Sequence, residues 1–169
     1  MIDMPPLLVP GPHLASVRML CCDVDGVLTD GGLYYDSNGR ALLRFHVLDG
    51  QGLKRVQERG VKVCFISQSE GGPIKQRAKV LGIDHCLMGV DDKLAAIEPL
   101  LSSLGISLQE TAHIADDLND ISLLKAVGVA VTVPGGVPEV KQIAQFVTRA
   151  EGGHGAVRAL CDALLASIA

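Results

Sequence analysis

Short apolar runs, ended by glycine or acidic residues, alternate along this chain with longer segments whose apolar positions recur at helical spacing. Val17 to Val24 is mostly apolar and suits a strand buried on both faces of a parallel sheet. It ends in Asp23-Val24-Asp25-Gly26, which sets carboxylates where such a strand meets solvent. Leu33 to Tyr35 and Ala41 to Phe45 flank Asp36-Ser37-Asn38-Gly39, whose Asn-Gly pair favours a hairpin turn. An inserted hairpin is therefore expected over residues 31–45, on the edge of the main sheet. Leu53 and Val56 predict a short helix from Gly52 to Arg59, stopped at Gly60, and Val61 to Ile66 reads as a second central strand.

Pro73 opens a helix through Arg77 and Val80 to Leu81, ended by Gly82. Asp92 caps another, which carries Leu94, Ile97, Leu100, Leu101 and Leu104. Ser107 and Glu110 have capping-box spacing, but the strand-like run Thr111 to Ala115 follows at once, so the box reads as a turn. Beyond Asp117-Leu118-Asn119-Asp120, Ile121 and Leu124 mark a helix face, and Gly128 to Val133 returns as a strand. A small helix from Pro138 to Ala144, a short Phe146-Val147 strand and an amphipathic helix from Ala156 to Ile168 complete the chain. This alternation predicts an α/β domain over residues 17–169, with a single doubly wound, mostly parallel sheet and flanking helices. Pro5, Pro6, Pro10, Gly11 and Pro12 make residues 1–16 read as a flexible N-terminal tail.

With 169 residues and 48% hydrophobic side chains, one core forms without staples. The net charge of −4 and the lack of a basic run exclude a nucleic-acid surface. Five cysteines, odd in number and mostly in apolar runs without zinc-ligand spacing, suit reduced thiols. No cationic start leads into a long apolar segment, and no apolar stretch is long enough to cross a bilayer. A cytoplasmic protein with neither nucleic-acid nor membrane partners is expected.

Three separated segments end apolar runs in polar groups that complement one another: Asp23 with Asp25, then Ser67, then Asp116 with Asp117. The carboxyl ends of parallel strands converge across an open sheet, so these groups are expected to meet. Carboxylates gathered in that way need a compensating cation, and oxygen ligands favour magnesium over zinc. On residue type alone, Asp30 also reads as a turn residue, Asp117 and Asp120 as helix caps, and Lys93 as a solvated lysine.

Asp23-Val24-Asp25-Gly26-Val27-Leu28-Thr29-Asp30-Gly31 resembles the first motif of the haloacid-dehalogenase superfamily, and specifically its capless phosphatases of 3-deoxy-manno-octulosonate 8-phosphate. The likeness continues through Asp49-Gly50-Gln51-Gly52, Ser67, Asp92-Lys93-Leu94, Asp116-Asp117-Leu118-Asn119-Asp120 and Gly152-Gly153-His154-Gly155-Ala156-Val157-Arg158. It implies a Rossmannoid fold and magnesium-dependent phosphomonoester hydrolysis through an aspartyl phosphate. Asp23 is then the nucleophile and Asp25 the general acid and base, while Ser67 binds phosphoryl oxygens and Lys93 neutralises developing charge. Magnesium falls to Asp23, the backbone carbonyl of Asp25 and Asp116, with Asp117, Asn119 and Asp120 in support. Gln68, Arg44, His154 and Arg158 join Ser67 and Lys93 as substrate-binding candidates.

Ser67-Gln68-Ser69 stands where the family carries Thr or Ser, Gly, Arg; Ala115 replaces a glycine, and Leu48 an arginine. The resemblance further implies a homotetramer in which the hairpin helps enclose a neighbour's site. Phosphatases of nine-carbon keto-sugar-acid 9-phosphates, and a catalytically weak assembly domain of the same fold, remain as alternatives.

Overall fold

The computed structural model describes residues 4–168. Residues 1–3 of the expected tail and residue 169 of the expected domain lie outside them. Six parallel strands form the main sheet: β1 (Met19–Cys22), β4 (Lys62–Ser67), β5 (His85–Met88), β6 (Thr111–Ala115), β7 (Val129–Thr132) and β8 (Phe146–Val147). Their spatial order is β5-β4-β1-β6-β7-β8, so the chain winds outward from β1 on one side and then returns to build the other. The reversal of winding beside β1 puts the loops after β1, β4 and β6 around one crevice.

Side chains on each strand alternate between two buried layers. Leu20, Cys22, Val63, Phe65, Ile114 and Val131 face α2 (Val47–Glu58), α3 (Gly72–Leu81) and α7 (Ala156–Ser167). Met19, Cys21, Cys64, Ile66, Ala115 and Ala130 face α4 (Lys93–Leu104), α5 (Ile121–Ala126) and α6 (Pro138–Ile143). Helices on both sides explain why these strands are apolar throughout rather than alternating polar and apolar.

Four features depart from the sequence reading. The helix expected from Gly52 begins at Val47, because Gly50 and Gly52 are not breaks. A side chain at Gly52 would meet Cys161 and Arg158 of α7, so glycine permits close helix packing there. The strand His85–Met88 carries no strong sequence signal; it lies at the sheet's edge with only half-buried residues. The hairpin β2 (Tyr34–Tyr35) and β3 (Ala41–Leu42) pairs only with itself and adds nothing to the main sheet's edge. Its turn closes as expected, with Gly39 at φ 76°.

The fourth concerns the N-terminal segment, which docks from Pro6 onward instead of hanging free. The Leu8 amide donates to the Val147 carbonyl and the Val147 amide to Pro6, so the segment runs alongside β8. A short helix, α1 (Pro12–Ala15), then sinks Leu14 completely into the core, and His13 stacks on Phe146 at 4.4 Å. The prolines that read as disorder serve a segment without helical hydrogen bonds and the first turn of α1. Leu14→Ala should therefore lower the unfolding free energy by about 2–5 kcal/mol in a urea titration. A loss below about 0.5 kcal/mol, as at an exposed site, would return the segment to a loose tail.

Candidate active site

Asp23 leaves β1 with its amide donating to the Ile114 carbonyl of β6, 3.0 Å away. The chain then closes a tight turn in which the amides of Leu28 and Thr29 return to the Val24 carbonyl. Gly26 takes a left-handed φ of 84°, and a side chain there would run into the Asp116 carboxylate. That glycine thus lets the turn after β1 close against the loop after β6.

Behind Asp23 lies a buried cluster of charge. The Lys93 ammonium donates to Asp23 Oδ1 at 2.6 Å and to Asp120 Oδ1 at 2.7 Å, and both Lys93 and Asp120 are wholly buried. His113 Nε2 meets the same Asp120 oxygen at 2.7 Å, and its Nδ1 donates to the Cys21 carbonyl at 3.2 Å. Burial pushes the Asp23 carboxyl well above its ordinary range and Asp120 adds to this, with Lys93 pulling the other way. Burial also works against ionised Asp120, yet His113 and Lys93 together hold it below the ordinary value. Lys93 shows the balance in reverse: burial lowers it, but the two carboxylates leave it raised overall.

In front of Asp23 opens a cavity of about 280 Å³ lined by Asp25, Gly31, Leu33, Ser67, Gln68, Ser69, Asp116, Asp117 and Asn119. Asp25 Oδ2 accepts from Ser69 Oγ at 2.9 Å and from Ser67 Oγ at 3.4 Å. Ser69 escaped the sequence reading, which saw only a lost arginine; its hydroxyl instead holds Asp25. A larger cavity of about 670 Å³ beside α2 and α7 is lined by Arg55, Arg59, Arg158 and Asp162 and lies away from the strand ends.

Among the described residues, no three His, Cys, Asp or Glu side chains gather into a metal site by themselves. Magnesium does not require one, since one or two carboxylates with waters and substrate phosphate commonly hold it. The donors here fit: Asp116 Oδ1 is buried without a hydrogen-bond partner, and burial chiefly pushes that carboxyl up to about 6. No lysine or arginine lines the cavity, so the only charged side chains that a phosphate entering it meets are carboxylates.

The profile of the haloacid dehalogenase-like hydrolases matches residues 87–160. The Yersinia pestis 3-deoxy-D-manno-octulosonate 8-phosphate phosphatase KdsC is 39% identical over 151 residues, covering 89% of this chain and 81% of its own. The Escherichia coli K12 enzyme of the same name is 39% identical over 89% of this chain and 80% of its own. The chain belongs to this phosphatase family. A crystal structure of the Moraxella catarrhalis 3-deoxy-D-manno-octulosonate 8-phosphate phosphatase, in complex with magnesium, phosphate and KDO, superposes with a TM-score of 0.89 at 36% identity. That likeness covers 92% of this chain and 89% of the Moraxella one.

Of the residues that the family resemblance singled out, the structure brings Asp23, Asp25, Ser67, Gln68, Asp116, Asp117 and Asn119 to one cavity. Lys93 and Asp120 lie behind Asp23, outside the cavity wall, with Lys93 turned to the Asp23 carboxylate. Arg44 donates to the Gly153 carbonyl at 2.9 Å and faces Asp30, and so braces the hairpin base against the loop that carries His154. Arg158 is turned away: its side chain pairs with Asp162 at 2.7 Å, while its amide donates to the buried Asp49 carboxylate at the start of α7. Asp117 does cap its own turn, accepting from Leu118, and Asp30 accepts from Gly32, as residue type allowed.

His113 was missed because a lone histidine in an apolar strand carries no local signal; its partners, the Cys21 carbonyl and Asp120, meet it only in the fold. Lys93→Met should leave the buried Asp23 and Asp120 carboxylates without their shared cation and cost about 3–5 kcal/mol of stability in metal-free urea denaturation. Adding Asp120→Asn should recover part of that loss. Unchanged stability in the single variant would mean that the pair is solvated.

Proposed function

We propose that this chain hydrolyses the phosphomonoester of 3-deoxy-D-manno-octulosonate 8-phosphate, a step of lipopolysaccharide biosynthesis, through a phosphorylated Asp23. The reading is carried by one observation: a carboxylate held from behind by Lys93 opens onto a cavity where a second carboxylate, Asp25, is fixed by two hydroxyls. Lys93 occupies Asp23 Oδ1, which leaves Oδ2 to attack phosphorus. The bond to the sugar oxygen breaks as the bond to Asp23 forms, and Asp25 gives its proton to the departing alkoxide. Asp25 then takes a proton from water, whose oxygen attacks the aspartyl phosphate; phosphate leaves and the Asp23 carboxylate returns. Ser67 lines the same cavity and would donate to a phosphoryl oxygen there.

Magnesium, held by Asp23, Asp116 and the Asp25 backbone carbonyl, would neutralise the phosphate that the carboxylate-lined cavity otherwise repels. Asp117 and Asn119 line the same cavity and would support that site, as Asp120 would through Lys93.

The hairpin exposes Leu33, Tyr34, Tyr35 and Leu42, and Val47 and Leu48 are exposed just beyond it. This apolar surface supports packing against a neighbouring copy in a homotetramer. The five cysteines are all free, four of them buried, which accords with a cytoplasmic setting. No helix among the described residues is long and apolar enough to cross a membrane.

Purified chain with magnesium should release phosphate from the eight-carbon acid phosphate faster than from a nine-carbon 9-phosphate. The reverse order would assign the substrate to the alternative that Gln68 and Glu70 keep open. Asp23→Asn should abolish turnover, leaving only the far slower reaction without the covalent route. Asp116→Ala should shift the magnesium titration to much higher concentration, whereas an unchanged titration would exclude Asp116 as a ligand. Light scattering should give the mass of four chains, and Tyr34→Asp with Leu42→Asp should lower it.

A further inference from the structure

His113 is the least expected polar residue in the molecule. It sits fully buried on β6 among Ala112, Ile114 and Ala115, where an apolar side chain would fill the space without the cost of desolvating an imidazole. Both ring nitrogens are used. The Cys21 carbonyl, 3.2 Å from Nδ1, can only accept, so Nδ1 carries a hydrogen. Nε2 lies 2.7 Å from Asp120 Oδ1, within hydrogen-bond distance.

These contacts close a circuit. Cys21 is the register partner of His113 and lies on the strand that delivers Asp23. From Cys21 the bonds run through His113 to Asp120, from Asp120 to Lys93, and from Lys93 at 2.6 Å back to Asp23. Asp120 has no alternative anchor, since its Oδ2 is buried without a partner. With His113 gone, only Lys93 would fix that carboxylate, and the pair would be free to turn together.

We propose that His113 is a positioning residue for phosphoryl transfer: it locks Asp120, which in turn fixes Lys93 and the attacking carboxylate of Asp23. The group touches neither substrate nor metal and works through placement alone. Small misplacement of an attacking group is costly, about a hundredfold in rate for roughly 1 Å.

The proposal rests on Asp23 as nucleophile but not on the identity of the sugar, so the test uses para-nitrophenyl phosphate beside the eight-carbon acid phosphate. His113→Phe keeps the ring volume and removes both bonds; its kcat should fall roughly 10–100-fold, as when an outer partner of a catalytic group is lost. KM should move by less than about threefold, because the interaction lost is one that matters in the transition state. His113→Gln, whose amide nitrogen reaches the Nε2 position, should regain most of the rate. His113→Asn, which reaches only Cys21, should not. In an Asp120→Asn background, His113→Phe should cost little more, since the two act as one unit.

Wild-type kcat in His113→Phe would overturn the proposal. So would Gln and Asn variants equally slow in step with their loss of stability, or fully multiplicative effects with Asp120→Asn. If the Phe variant does not fold, the contrast between Gln and Asn decides. A wild-type chain that splits the aryl phosphate and not the sugar phosphate overturns the substrate reading alone, and the variants are then judged on the aryl phosphate. One that splits neither overturns both.

Discussion

The Lys93 ammonium lies wholly buried between Asp23 and Asp120, and its lost hydration is repaid only while both carboxylates stay ionised beside it. Much of the nearby architecture serves that condition. Asp92 caps α4 through the Ala95 amide and so fixes the helix that delivers Lys93 in its first turn. His113 takes the other side of the oxygen that Lys93 uses on Asp120. The Asp23 carboxylate is thereby aligned from within the protein, and its open side is left to the cavity.

That division separates two electrostatic tasks. Positive charge from the protein stands behind Asp23, whereas the wall in front of it holds acidic and neutral groups only. A cation that arrives with the reaction can neutralise the front without competing with Lys93 for the same oxygen. Asp25, tied to Ser67 and Ser69, stands apart from the Lys93 cluster and is free to exchange protons with what enters.

The winding of the sheet was legible in the chain because strands covered on both faces leave uninterrupted apolar runs, as in Val61 to Ile66, and because each run ends where polarity is needed. The short half-buried strand His85–Met88 was not legible, since an edge position asks little of its side chains. Gly50 and Gly52 misled for a different reason: their small size answers to Arg77 and Leu81 of α3 and to Cys161 and Arg158 of α7, which are distant in sequence. Asp23, Asp25, Ser67, Gln68, Asp116, Asp117 and Asn119 were readable from motif order, but what Lys93, Ser69 and His113 touch depends on which side of Asp23 each occupies. Nothing local to those residues encodes it.

The docking of residues 6–8 along β8 bears on how these molecules behave toward one another in solution. A two-residue terminal strand otherwise presents unpaired amides and carbonyls, which a second chain can extend into a continuous intermolecular sheet. Here the N-terminal segment takes up that pairing with its own Pro6 and Leu8, and Pro5 and Pro6 have no amide hydrogen to pass on to a stranger. The sequence feature that looked like slack is a guard against aggregation at one border of the sheet.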